Sequence, residues 1–126
     1  MDIERIQQEI LADSRAWFGD EIAFSLTDVA LGLTGEAGEF ADLIKKVMRG
    51  THSLEEHGRD LALELVDVFI YVVKGAALLG IDLEQVYDYK RTYNAERFAR
   101  KYDEENTRLG EFIPSADVTA PRDGGA

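Results

Sequence analysis

The sequence predicts an all-α protein built as an antiparallel bundle of four helices, and three observations carry that prediction. No stretch of the 126 residues alternates apolar and polar positions as a half-buried strand does. Only two prolines are present, Pro114 and Pro121, both within the last thirteen residues. Three capping signals, Ser25 with Asp28, Ser53 with Glu56 and Asp82 with Gln85, bracket short turns. Helices joined by such turns pack as antiparallel neighbours.

The first helix is expected from Asp2, its cap, to about Phe18, with Gly19 ending it. Ile3, Ile6, Ile10 and Trp17 form its apolar stripe, read as core or as a contact between copies. The other use of Trp17 or Phe18 is as a face on which a nucleobase stacks. The second helix starts after Ser25 and runs to about Arg49, with Gly50 as its stop. Gly32, Gly35 and Gly38 inside it each cost about 1 kcal/mol relative to alanine. Their expected reason is the close approach of a neighbouring helix or of a ligand. The third helix opens at Ser53 and ends at Gly80, and the fourth runs from Asp82 to about Glu105. Residues 1–105 thus form a single domain, and Asn106 to Ala126 reads as a tail, partly extended or disordered.

A hydrophobic content of 45% with 31% charged residues is that of a soluble globular domain. The net charge of −11 argues against binding duplex nucleic acid, which needs a basic footprint. It leaves room for a phosphate substrate, because bound divalent metals reverse the local sign. The absence of cysteine excludes disulfides and thiolate metal sites and fits a reducing cytoplasm. MDIERIQQEI has no basic stretch followed by an apolar one, so no secretory signal is expected. No segment reaches the roughly 20 apolar residues that a membrane crossing takes.

The chemistry concentrates in Leu61 to Val73, where eleven of thirteen residues are apolar, counting Tyr71. The exceptions are Glu64 and Asp67, and a helix of this composition is expected to have no solvated face. At i and i+3 the two carboxylates share one side, roughly 5–6 Å apart at Cβ. A buried carboxylate costs several kcal/mol, so two together call for a cation. The second helix supplies a matching pair, Glu36 and Glu39. Counting outward from a turn centred near Thr51 at about 1.5 Å per residue brings Glu39 level with Glu64 and Glu36 level with Asp67. Two carboxylates about 5 Å apart repel by roughly 3 kcal/mol at an effective dielectric of 20. Hard divalent cations resolve that, and Mg²⁺ is the usual choice where phosphates complete the shell.

The same counting across the next turn brings Asn94 level with Asp67, Arg97 with Glu64, and Lys90 with Tyr71. Lys90, Asn94 and Arg97 share one face of the fourth helix, a layout for gripping an oligophosphate. Two plainer readings stand beside this: each Glu-x-x-Glu as a solvated face, and the whole set as buried ion pairs. A ferritin-like di-iron centre wants a histidine three residues after a glutamate, and neither pair has one. His52 and His57 read as solvated or capping residues, with phosphate contact as the other use.

GEAGEFADLIKK (Gly35 to Lys46) followed by ELVD (Glu64 to Asp67) resembles the paired acidic signature of MazG-like nucleotide pyrophosphohydrolases. KRTYNAER (Lys90 to Arg97) is similar to that family's Lys-x-x-x-Asn-x-x-Arg segment, and the likeness covers about Leu26 to Phe98. The resemblance implies an all-α fold working as a homodimer or homotetramer, hydrolysing nucleoside triphosphates to monophosphate and pyrophosphate. It implies Mg²⁺, with Mn²⁺ as a substitute, carried by Glu36, Glu39, Glu64 and Asp67. It also implies that Lys90, Asn94 and Arg97 hold phosphates, with Lys46 a weaker candidate; Tyr71, level with Lys90, is a further substrate-binding candidate from the counting. The alternatives are a phosphoribosyl-ATP pyrophosphohydrolase and a non-catalytic helical assembly module.

Overall fold

A computed structural model describes residues 1–112 of the chain, all of whose regular structure is helical. The helices are α1 (Ile3–Phe18), α2 (Asp20–Ala23), α3 (Leu26–Met48), α4 (Leu54–Leu78) and α5 (Leu83–Phe112). The all-α expectation therefore holds, but with five helices rather than four. The additional one, α2, is a single turn, too short to leave a periodic pattern in the sequence. The last helix runs on to Phe112 instead of stopping near Glu105. The rest of the expected tail, 113–126, lies outside the described residues. The chain divides into two compact units, one spanning Met1–Glu84 and one starting at Gln85.

The helix ends are set by the chemistry read from the sequence. Asp2 Oδ1 accepts from the Arg5 N–H at 3.0 Å. Ser25 Oγ accepts from the Asp28 N–H, and Ser53 Oγ from the Glu56 N–H, each at 3.1 Å. Each bond satisfies one of the donors that a helix start leaves without an intrahelical partner. At the other ends Gly19, Gly50 and Gly80 adopt φ of +82°, +80° and +65°. That left-handed backbone is where a residue lacking Cβ carries no steric cost, and it is how the chain leaves a helix sharply.

Within the first unit α3 and α4 form an antiparallel hairpin, with α1 and α2 packed beside it. The register is visible in the residues that meet: Val29 faces Gly75, and Gly32 faces Tyr71, four residues earlier on α4. The core is small, made by Ile10 of α1, Ala23 of α2, Val29 of α3, and Leu61, Val73 and Ala76 of α4. Two expectations change here. Leu61 and Val73 are buried, but Leu63, Leu65 and Val66 are about half exposed, so the apolar helix does have an uncovered side. Its partners within the unit, α1 and α3, cover only part of its circumference. Trp17 is not a core residue either, being 70% exposed, because α1 ends there and Gly19 turns the chain away.

Candidate functional site

Antiparallel packing brings Glu36 of α3 against Glu64 and Asp67 of α4. One carboxylate oxygen from each lies within 4.8 Å of the others, a spacing that a single metal ion could bridge. Glu36 Oε2 and Glu64 Oε2 are withdrawn from solvent and have no hydrogen-bond partner among the described residues. Burial, then the charge of Glu39, then Glu64 itself push the Glu36 carboxyl from 4.5 up to about 7. Burial, followed by contact with Glu39, raises Glu64 as well. Three acids this close cannot all remain ionised without either a shared proton or a cation. The donor set, all hard oxygens with two buried atoms left unpaired, fits a hard divalent cation.

Glu39 stands one turn along α3 and is more exposed than Glu36. Together with Glu64, Asp42 and Asp60 it lines a cleft of about 560 Å³, whose α3 wall includes Gly35 and Gly38. A Cβ at either glycine would meet nothing within 4 Å, so these two leave open space along the carboxylates. Gly32 is different. A Cβ there would run into the ring of Tyr71. Of the two reasons foreseen for the glycines, the close approach of a neighbouring helix applies at Gly32, while Gly35 and Gly38 border open space.

The remaining sequence candidates are distributed as follows. Lys46 Nζ pairs with Asp42 at 2.9 Å, so its charge is already engaged within α3. Lys46 and then Lys45 hold the Asp42 carboxyl below its ordinary value. Tyr71 is half-buried, and burial, then the charges of Asp28, Glu36 and Asp67, push its hydroxyl up. His52 and His57 lie against each other at the α3–α4 turn, ring centroids 4.5 Å apart and planes tilted by 45°. His52 Nδ1 lies 3.0 Å from Thr51 Oγ1, and His57 Nδ1 lies 3.4 Å from Asp60 Oδ2, which are local contacts. Lys90, Asn94 and Arg97 belong to the second unit and share one face of α5. There the Lys90 ammonium and the Arg97 guanidinium lie 5.0 and 5.8 Å from the centre of the Tyr93 ring.

Lys74 is the functional candidate that sequence reasoning passed over. It is 2% exposed, and its Nζ donates to Asp28 Oδ2 at 3.1 Å and to the Ile22 carbonyl at 3.5 Å. The signal was there: a lone lysine in an apolar helical run poses the same question that Glu64 and Asp67 posed. Lys74, Asp28, Tyr71, Glu36 and Asp67 all line a second cleft, of about 370 Å³, with Trp17 and Phe18 on its α1 side.

Residues 24–92, more than half of the chain, match the MazG nucleotide pyrophosphohydrolase domain. The chain belongs to that family. The match takes in all four carboxylates and Lys90 but stops short of Asn94 and Arg97, and it leaves out α1 and α2. Among curated proteins, a 63-residue stretch is 41% identical to "Gene 37 protein" of Mycobacterium phage L5, covering 48% of this chain. The chain spans about half (55%) of the length of that relative. No solved structure matches the chain. Among the described residues no helix is long and apolar enough to cross a membrane.

Proposed function

We propose that this MazG protein hydrolyses (deoxy)nucleoside triphosphates to nucleoside monophosphate and pyrophosphate. Glu36, Glu39, Glu64 and Asp67 hold Mg²⁺, with Mn²⁺ able to replace it. The observation that carries this reading is the pair of solvent-excluded carboxylate oxygens, one on α3 and one on α4, that have no donor. So unfavourable an arrangement is relieved where a cation lies between the two oxygens.

When bound, the ion lowers the pKa of a coordinated water and neutralises charge on the phosphate oxygens. The protein's own groups do the rest. Glu39, the most accessible of the four acids, accepts a hydrogen bond from the attacking water and aims it. Glu36 and Glu64, whose carboxyls are both pushed up by burial and by neighbouring acids, would hold the ion in their ionised forms. Lys90, Asn94 and Arg97 donate to the phosphates and stabilise the negative charge of the departing pyrophosphate. The Tyr71 hydroxyl, held protonated by burial, donates to the substrate from the adjoining cleft. Lys46 joins in only if its pairing with Asp42 opens.

The protein works in the cytoplasm as a homodimer or homotetramer. The half-exposed Leu63, Leu65 and Val66 on α4 support this, because a second copy would cover them. Light scattering at assay concentration is expected to give at least twice the 14.1 kDa chain mass. The deciding experiment is a panel of common triphosphates with Mg²⁺ or with EDTA, following both products. Equimolar monophosphate and pyrophosphate, lost on chelation, is the expected result. Monophosphate from none of them would end this reading.

A further inference from the structure

From the turn between α3 and α4 we infer that His52 and His57 form a binding site for a borderline divalent cation, Zn²⁺ above all. The site is separate from the acidic cluster and stands whether or not that cluster hydrolyses triphosphates.

The chain has two histidines, and the fold sets both at one turn, with ring centres 4.5 Å apart. His52 belongs to the turn itself and His57 to the first turn of α4, and both are half-buried. Which nitrogen of each ring carries the proton follows from what the neighbouring atoms offer. Thr51 Oγ1 lies 3.1 Å from the Lys46 carbonyl oxygen and 3.0 Å from His52 Nδ1. Two oxygens come that close favourably with a proton between them, and only the hydroxyl has one to give. Thr51 therefore donates to Lys46 and keeps just a lone pair for His52, whose Nδ1 must be the N–H. His57 Nδ1 is withdrawn from solvent and faces Asp60 Oδ2 at 3.4 Å. That contact is too long for a strong hydrogen bond, but a carboxylate only accepts, so the nitrogen facing it carries the proton. In the neutral form of both rings the bare nitrogen is then Nε2.

Metal-binding imidazoles are commonly held in this way, the other ring N–H resting on an oxygen acceptor that orients the ring. Zinc–nitrogen bonds of about 2.0–2.1 Å place two nitrogens of a tetrahedral site roughly 3.3 Å apart. Rings with centres 4.5 Å apart can present Nε2 atoms at that spacing. Imidazole suits Zn²⁺, Ni²⁺ and Cu²⁺, whereas a hard ion suits the all-oxygen set of Glu36, Glu64 and Asp67. The chain has no cysteine, hence no thiolate to compete for such an ion. Among the described residues no carboxylate joins the two rings in a three-ligand set, so water fills the remaining positions. That makes the site an open, exchangeable one, unlike the closed four-ligand sites that hold zinc structurally. Asp60 ties it to the acidic cleft, which Asp60 lines together with Glu39 and Glu64. A cation on Nε2 withdraws electron density from the His57 ring, strengthens Nδ1–H as a donor and draws Asp60 toward the turn.

Imidazole nitrogen NMR on the full-length protein at pH 8 tests this, since two histidines give two ring systems to resolve. Both rings are expected as Nδ1–H tautomers in EDTA. With EDTA removed and millimolar Mg²⁺ present, Zn²⁺ is expected to shift the Nε2 signals of both rings, whereas Mg²⁺ alone shifts neither. Unmoved Nε2 signals, a shift in one ring only, or an Nε2–H tautomer in either ring overturns the inference. Equilibrium dialysis of the double variant Glu64→Gln with Asp67→Asn, whose acidic site is disabled, should give one Zn²⁺ per chain. Adding His52→Ala or His57→Ala should weaken that binding at least tenfold. Affinity unchanged by either substitution overturns the assignment. So does one Zn²⁺ per two chains, which would make the ion a bridge between copies.

Discussion

The ring of Tyr71 occupies the space that any side chain on Gly32 would need. This contact sets how closely α3 and α4 approach, one helical turn from Glu36 and Asp67. Gly32→Ala must therefore displace an aromatic ring from a packed interface. It is expected to cost about 1–3 kcal/mol, read as a lower denaturation midpoint with unchanged slope. Gly35→Ala and Gly38→Ala meet no atoms and should instead stabilise α3 by roughly 0.5–1 kcal/mol each. A loss of stability at all three positions would contradict the geometry described.

Removing charge from the acidic cluster relieves repulsion in the absence of metal. The double variant Glu64→Gln with Asp67→Asn is expected to lose turnover altogether. Its Tm in EDTA should equal or exceed that of the parent, and added Mg²⁺ should no longer raise it. A collapse of Tm in EDTA would instead make these acids partners in structural ion pairs.

The raised carboxyl of Glu36 fixes the sign of a pH effect. Its value in the folded protein, about 7, lies above its ordinary 4.5. The stabilisation linked to its proton is complete below pH 4.5 and is lost as pH rises through about 7. In EDTA, Tm should therefore fall between pH 5 and pH 8. Glu36→Gln should flatten that slope, and Mg²⁺ should restore the parent's Tm at pH 8. A parent and variant with parallel profiles would show that another group is responsible.

Asp28 and Lys74 differ in what each leaves behind. Asp28→Asn strands an ammonium that is almost fully buried, whereas Lys74→Met leaves a carboxylate that still reaches solvent. Breaking a buried pair by removing one partner costs about 3–5 kcal/mol. Asp28→Asn should fall toward that range and Lys74→Met well below it. In the double variant part of the loss should be recovered, a coupling that urea denaturation of all four proteins measures.

Much of this molecule could be read without coordinates, and the reason is locality. Ser25 and Ser53 cap their helices, and Gly19, Gly50 and Gly80 end theirs, through bonds and backbone angles that involve only residues close in sequence. The level of Glu36 with Asp67 followed from a constant rise per residue on two helices joined by a short turn. What escaped depends on contacts far apart in the chain or on segments too short for a pattern. The single turn α2 is the second kind. The exposure of Trp17 and the bond from Lys74 to Asp28, 46 residues away, are the first kind.

The sequence by itself determined that the chain is helical, where the three long helices of the first unit begin and end, and which acids would come level. Those outcomes follow from short-range hydrogen bonding and from distance measured along a helix axis. Only the tertiary structure decided how far each helix is rotated about that axis. That rotation buried Lys74 and pressed Tyr71 onto Gly32. It is set by side chains interlocking across helices, and no single helix carries that information.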